Sequence, residues 1–175
     1  TGTLTQGDLS VTGVELLQEE GHPIAAILHN FTAALEDNNA TFAALRRAYP
    51  PKEQWQIIAT YPFSSLHKWS AVTFSQKGTY ILGATEFICP DMLPSLQEKL
   101  QQLSQTNRVL LLAWTDQPVQ PGILPPQITP VGFILLQDNL RTAVKQTLEY
   151  FTKQDINLKV ISGDNACTVS NIARQ

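Results

Sequence analysis

Trp69-Ser70-Ala71-Val72-Thr73-Phe74, then Ser75-Gln76-Lys77-Gly78, then Thr79-Tyr80-Ile81-Leu82, is a pair of runs rich in β-branched and aromatic residues, joined by a short polar turn that contains glycine. Such side chains favour the pleated surface of a sheet, and glycine tolerates the positive φ that a tight reversal needs. The spacing predicts a hairpin with strands over 69–74 and 79–82, turning at Gln76-Lys77-Gly78. Trp55–Thr60 has the same character, so the middle of the chain reads as an antiparallel patch.

Towards the C-terminus, Leu93, Leu96, Leu100 and Leu103 recur at helical spacing, and Arg108–Ala113 is a short apolar strand. Pro118, Pro121, Pro125, Pro126 and Pro130 then mark a loop, because proline lacks the N–H that a helix interior or central strand requires. Beyond it Val131–Leu136 reads as a fully buried strand, Val144, Leu148 and Phe151 share a helical face, and Leu158–Ile161 reads as a second strand. Together they predict one right-handed βαβ unit. Towards the N-terminus, Val11–Leu17 reads as a strand. Pro23 suits the first turn of a helix whose stripe is Ile24, Ile27, Leu28, Phe31 and Leu35. Asn38 and Asn39 cap a shorter helix through Leu45. His22 and His29 are read as helix residues, and no histidine has metal-ligand spacing.

This order is that of an inserted domain. Residues 9–130 form an α+β body, an antiparallel sheet flanked by helices, while 1–8 and 131–175 supply partial α/β flanks. The two crossing strands fall near Gln6–Asp8 and Thr129–Asp138. Of the 175 residues, 43% are apolar, enough for a packed core, and the net charge of −3 comes with basic residues scattered singly apart from Arg46-Arg47. No basic stripe for nucleic acid or anionic lipid is present. Cys89 and Cys167 lie far apart with no Cys-x-x-Cys companion, which excludes a cysteine-built zinc site, and no apolar run approaches the roughly 20 residues that span a bilayer.

Hydroxyls and glycines cluster at Thr1-Gly2-Thr3-Leu4-Thr5 and at Ser162-Gly163-Asp164-Asn165. Short side chains at a strand end let backbone N–H groups approach a phosphate. With Asp138-Asn139-Leu140-Arg141 between them, these motifs resemble the phosphorylation domain of the P-type ATPases, membrane cation pumps built on the haloacid-dehalogenase-like fold. The family's opening motif is Asp-Lys-Thr-Gly-Thr-Leu-Thr, with the Asp phosphorylated, and in that family a nucleotide-binding domain is inserted between the two motifs. The resemblance implies ATP and Mg²⁺ as cofactors, phosphoryl transfer to an Asp, and a cytosolic position in a cell-membrane protein. It also implies partnership with phosphorylation, actuator and membrane domains; calcium is the expected cation, and oligomeric state is left open. Ser162, Asp164, Thr1 and Thr3 would form the phosphoryl pocket, with Thr1 offering a carbonyl to Mg²⁺, while Asp138 and Arg141 would hold the hinge. Lacking the nucleophilic Asp, the chain is expected to be inactive alone.

Inside the insert, Phe63-Ser64-Ser65-Leu66-His67-Lys68-Trp69-Ser70-Ala71-Val72 is similar to the family's adenine-stacking Phe and ATP-contacting Lys. The pairing makes chemical sense, since a base needs a ring to stack on and its phosphates need a cation. The plain alternative is a core Phe63 and a solvated Lys68. Gly83-Ala84-Thr85-Glu86 resembles the family's Lys-Gly-Ala-Pro-Glu, with Leu82 in the place of Lys and Thr85 in the place of Pro. Arg108 matches an arginine that reaches the phosphates, or is a surface ion-pair partner. Asn39 stands where the family has an acid near the adenine amino group, and it would equally serve as a helix cap. Two other readings stand beside the pump: a haloacid-dehalogenase-like phosphatase with a large cap, and a non-catalytic module presenting Trp55, Trp69 or Trp114 to a partner.

Overall fold

The computed structural model describes residues 5–18, 21–52, 55–140, 143–157 and 159. Six strands run β1 (Thr5–Leu16), β2 (Ile57–Tyr61), β3 (Trp69–Phe74), β4 (Gly78–Gly83), β5 (Arg108–Thr115) and β6 (Thr129–Leu140). They form one sheet in the order β1-β6-β5-β4-β3-β2, every neighbouring pair antiparallel. The β3–β4 hairpin pairs Phe74 with Gly78 and Trp69 with Gly83, and turns through Gln76 at φ 60° and Gly78 at φ 78°. Trp55 lies outside β2; its ring instead meets Phe74 edge-on at 5.2 Å, beneath the Lys77 ammonium at 4.6 Å.

Both faces of the sheet are covered. On one face lie α1 (Ile24–Ala34) and α2 (Ala40–Ala48), where Ile27, Leu28 and Phe31 pack with Val72, Leu82, Leu112 and Ile134. On the other lie α3 (Thr85–Ile88) and α4 (Pro94–Ser104), over Ala71, Ile81, Leu111 and Phe133. Successive strand residues therefore enter opposite cores. Each buried Leu, Ile or Phe contributes about 1.5–3 kcal/mol, so these paired layers supply the main drive to fold. Of the four spaced leucines, Leu96, Leu100 and Leu103 pack on the sheet, whereas Leu93 precedes α4 and is exposed.

The cap at Asn39 is as the sequence predicts: its Oδ1 accepts the Phe42 N–H at 2.9 Å. Pro23 is the N-cap residue of α1, so His22 precedes the helix; its Nδ1 lies 3.2 Å from the Tyr80 hydroxyl. Buried Asn30 accepts the Trp55 N–H at 3.0 Å, tying the approach to β2 onto α1. All three tryptophans are packed: Trp69 is buried, and Trp55 and Trp114 lie partly buried against the first core. None of the three is among the exposed large hydrophobic side chains.

One strand differs from the expectation. β6 is antiparallel to both β1 and β5, so Val131–Leu136 is a central strand of the α+β sheet and not the first strand of a βαβ unit. A strand buried on both faces reads as an unbroken apolar run, the usual signature of parallel sheets, and helices on both faces impose that signature here. The sheet thus extends past Pro130, where the sequence placed the end of the insert. The helix expected next is α5 (Val144–Lys153). Leu158–Ile161, apart from Lys159, lies outside the described residues.

Candidate functional site

A cleft of about 250 Å³ opens beside the first core, between the start of α2, the segment before β3 and the ends of β4 and β5. Phe63, Lys68, Gly83, Ala84, Arg108 and Asn39, the six residues singled out for nucleotide, all line it. They come from four separate parts of the chain. Phe63 is 42% exposed, so its ring is a wall of the cleft and not core.

Local structure explains how the two leading residues are presented. Ser64 closes a turn: its carbonyl accepts the Lys68 N–H at 2.7 Å, and its hydroxyl accepts the Leu66 N–H at 3.2 Å. Lys68 sits in the left-handed region at φ 59°. A non-glycine residue there costs about 1 kcal/mol or more, a strain that clusters at functional sites. The Lys68 carbonyl in turn accepts the Ala84 N–H at 2.9 Å, which fixes the end of β4 to the loop. Gly83 is required by that approach, because a Cβ would lie 2.3 Å from the Lys68 carbonyl oxygen and 2.6 Å from Trp69 Cα.

Asp37, Thr41, Ser70 and Leu110 also line the cleft and were not singled out by sequence. Asp37 anchors the loop from the opposite side, its carboxylate accepting the Phe63 N–H at 3.2 Å. Leu82, in the family's Lys position, is buried in the core beneath the cleft, and supplies apolar floor where a cation would stand. Lys68 and Arg108 are the cations of the lining, set against the carboxylate of Asp37. Arg108 Nη2 lies 3.9 Å from Asp138 Oδ2, which brings the expected hinge acid to the cleft edge. Close by, Asp8 is held below the usual carboxylate range, chiefly by the hydrogen bond from Arg47 at 2.6 Å. Thr1, Thr3, Arg141, Ser162 and Asp164 lie outside the described residues. Among the described residues no group of three His, Cys, Asp or Glu side chains could hold a metal ion, and no helix is long and apolar enough to cross a membrane.

Thr85 opens α3, and its buried Oγ1 is without a hydrogen-bond partner among the described residues. Ala84 before it is extended, at φ −70° and ψ 130°, the conformation that a following proline demands. Thr85→Pro would remove the orphaned hydroxyl at a position where proline is pre-organised for a helix. It is expected to stabilise the protein by about 0.5–1 kcal/mol, raising Tm by roughly 1–4 °C in a thermal melt. A lowered Tm would mean that the Thr85 N–H has a partner.

No family model matches the chain. By sequence it is 35% identical over 173 residues to a calcium-transporting ATPase, CtpE, of Mycolicibacterium smegmatis, covering 99% of this chain and 22% of the relative. A probable cation-transporting ATPase, exp7, of Streptococcus pneumoniae is 36% identical over 179 residues, covering all of this chain and 23% of the relative. Among solved structures, a zinc-transporting PIB-type ATPase in its E2.Pi state superposes with a TM-score of 0.69 at 19% identity, over 99% of this chain and 26% of that one. The fold is therefore that of a P-type ATPase domain. In sequence and in fold the chain is similar to one part of the P-type cation-transporting ATPases, and it spans under a quarter of the length of the relatives it matches.

Proposed function

We propose that this chain is the ATP-binding domain of a membrane pump that drives cation transport through an aspartyl phosphate. The observation that carries the reading is the convergence of Phe63, Lys68, Gly83, Ala84, Arg108 and Asn39 on one cleft. Adenine stacks on the exposed Phe63 ring over the apolar floor at Leu82 and Leu110, and Lys68 and Arg108 meet the phosphates. With Oδ1 engaged in the cap, Asn39 turns its amide N–H groups to the base. Mg²⁺ would come with the triphosphate, since it prefers phosphate and water ligands, and would supply charge neutralisation to phosphoryl transfer. Thr1 would offer it a carbonyl, and Thr3, Ser162 and Asp164 would contact the transferred group.

The pairing of β1 with β6 supports an insert joined to a phosphorylation domain at both ends. Thr5 is paired with Leu140 and Leu9 with Asp138, so the two crossings lie side by side. Both connections to a phosphorylation domain would leave from the end where Thr5 pairs with Leu140, and Asp138 and Arg141 are the residues proposed for the hinge. The domain lies on the cytosolic side of the membrane. The relatives named as calcium-transporting make calcium the proposed cargo; its choice belongs to ionisable residues within a bilayer.

Calorimetric titration with ATP tests the reading. Phe63→Ala is expected to weaken binding by about 1–3 kcal/mol, the worth of one base–ring stack. An unaltered affinity would remove Phe63 from the site.

A further inference from the structure

The segment that carries Phe63 and Lys68 has a second side. Ser64 and His67 line another cavity, of about 420 Å³, whose far wall is Pro121 and Gly122 of the loop between β5 and β6. That loop is docked on the sheet: the Tyr61 hydroxyl donates to the Val119 carbonyl, and Val119 is buried. The Ile123 N–H donates to the Gln120 carbonyl at 3.0 Å, closing a turn in which Gly122 takes φ 75°. Proline second and glycine third, at positive φ, is the type II pattern.

Gly122 meets the His67 ring directly. A Cβ there would lie 2.7 Å from His67 Nε2 and 2.8 Å from Cε1. On its other side the ring leans on Trp69, centroids 6.0 Å apart, and the His67 N–H donates to Ser64 Oγ at 3.4 Å. Lys68 is the next residue, held left-handed between the Ser64 carbonyl and the Ala84 N–H. His67 thus stands between the β5–β6 loop and the residue that faces the cleft.

We propose that the β5–β6 loop is a backstop for the nucleotide loop, with Gly122 against His67 setting where Phe63 and Lys68 stand. Both are positioning residues, and the proposal rests on the reading of the cleft as an ATP site.

The test uses the 175-residue chain, with amide NMR before nucleotide and ATP titration after. Gly122→Ala should shift the amides of Ser64–Lys68 and Ala84 without ligand and weaken ATP binding about tenfold, an overpacking effect. Adding His67→Ala should return affinity to within about twofold of His67→Ala alone, because the clash has lost its partner. Backbone strain at Gly122 would not be rescued in this way, so a weak double variant overturns the proposal. Unchanged affinity in Gly122→Ala overturns it as well, while leaving the ATP site intact. If the unsubstituted chain binds no ATP, the cleft reading falls and takes this one with it. Should Gly122→Ala fail to fold, His67→Trp, which enlarges the ring against an unaltered backbone, is expected to give the same loss, and full affinity in it counts against the backstop.

Discussion

Gly83→Ala should cost the fold about 3 kcal/mol and weaken ATP binding about tenfold or more, although it adds a single methyl group. The added Cβ meets backbone on the paired strand, at 2.3 Å from the Lys68 oxygen and 2.6 Å from Trp69 Cα, and backbone cannot rotate aside as a side chain can. Relief requires the ends of β3 and β4 to part. Parting them breaks the Ala84–Lys68 hydrogen bond and releases the left-handed Lys68 from its position in the cleft. In a thermal melt the loss should read as a fall in Tm of roughly 6–12 °C. Gly13→Ala is the matched control, since its Cβ would meet only Leu135 Cδ1, at 3.7 Å. Equal stability of the two variants would show that β3 and β4 do not approach as described.

Phe31→Ala is expected to be as damaging by a different route. Its side chain is fully buried in α1 among the residues of the first core, and removing a buried ring of this size costs about 3–5 kcal/mol through lost transfer energy and the cavity left behind. Chemical denaturation should show a lower midpoint with an unchanged slope. A loss under about 1 kcal/mol would mean that α1 does not cover the sheet. The two variants are separable in function. Phe31 does not line the cleft, so the folded fraction of Phe31→Ala should bind ATP normally, whereas Gly83→Ala should not.

These expectations rest on features that differ in how plainly the sequence shows them. The β3–β4 hairpin and the Asn39 cap depend on neighbours within a few positions, and they were legible. The membership of β6 was not. Its apolar run matched a parallel strand because helices on both faces remove the alternation that would mark an antiparallel one, and pairing partners such as Leu9 and Asp138 lie far apart in the chain. The short helix α3 carries too few residues for a period to register.

Within the cleft, Phe63, Lys68, Gly83, Ala84, Arg108 and Asn39 were picked out through motif resemblance, and the fold brings them together. Sequence alone left a core position as the plain alternative for Phe63; its exposure on the cleft wall decides that point. Asp37 was invisible because its role is a contact to the Phe63 backbone, 26 positions away, which no local pattern encodes. Gly122 escaped for the same reason: only the folded chain sets it against His67.

The central claim is that this cleft takes adenine nucleotide, and an amide NMR titration with ATP tests it most directly. Saturable shifts should gather at Phe63, Lys68, Gly83, Ala84 and Arg108, with β2 and α4 unmoved. Shifts scattered over the surface, or none at millimolar ATP, would contradict it.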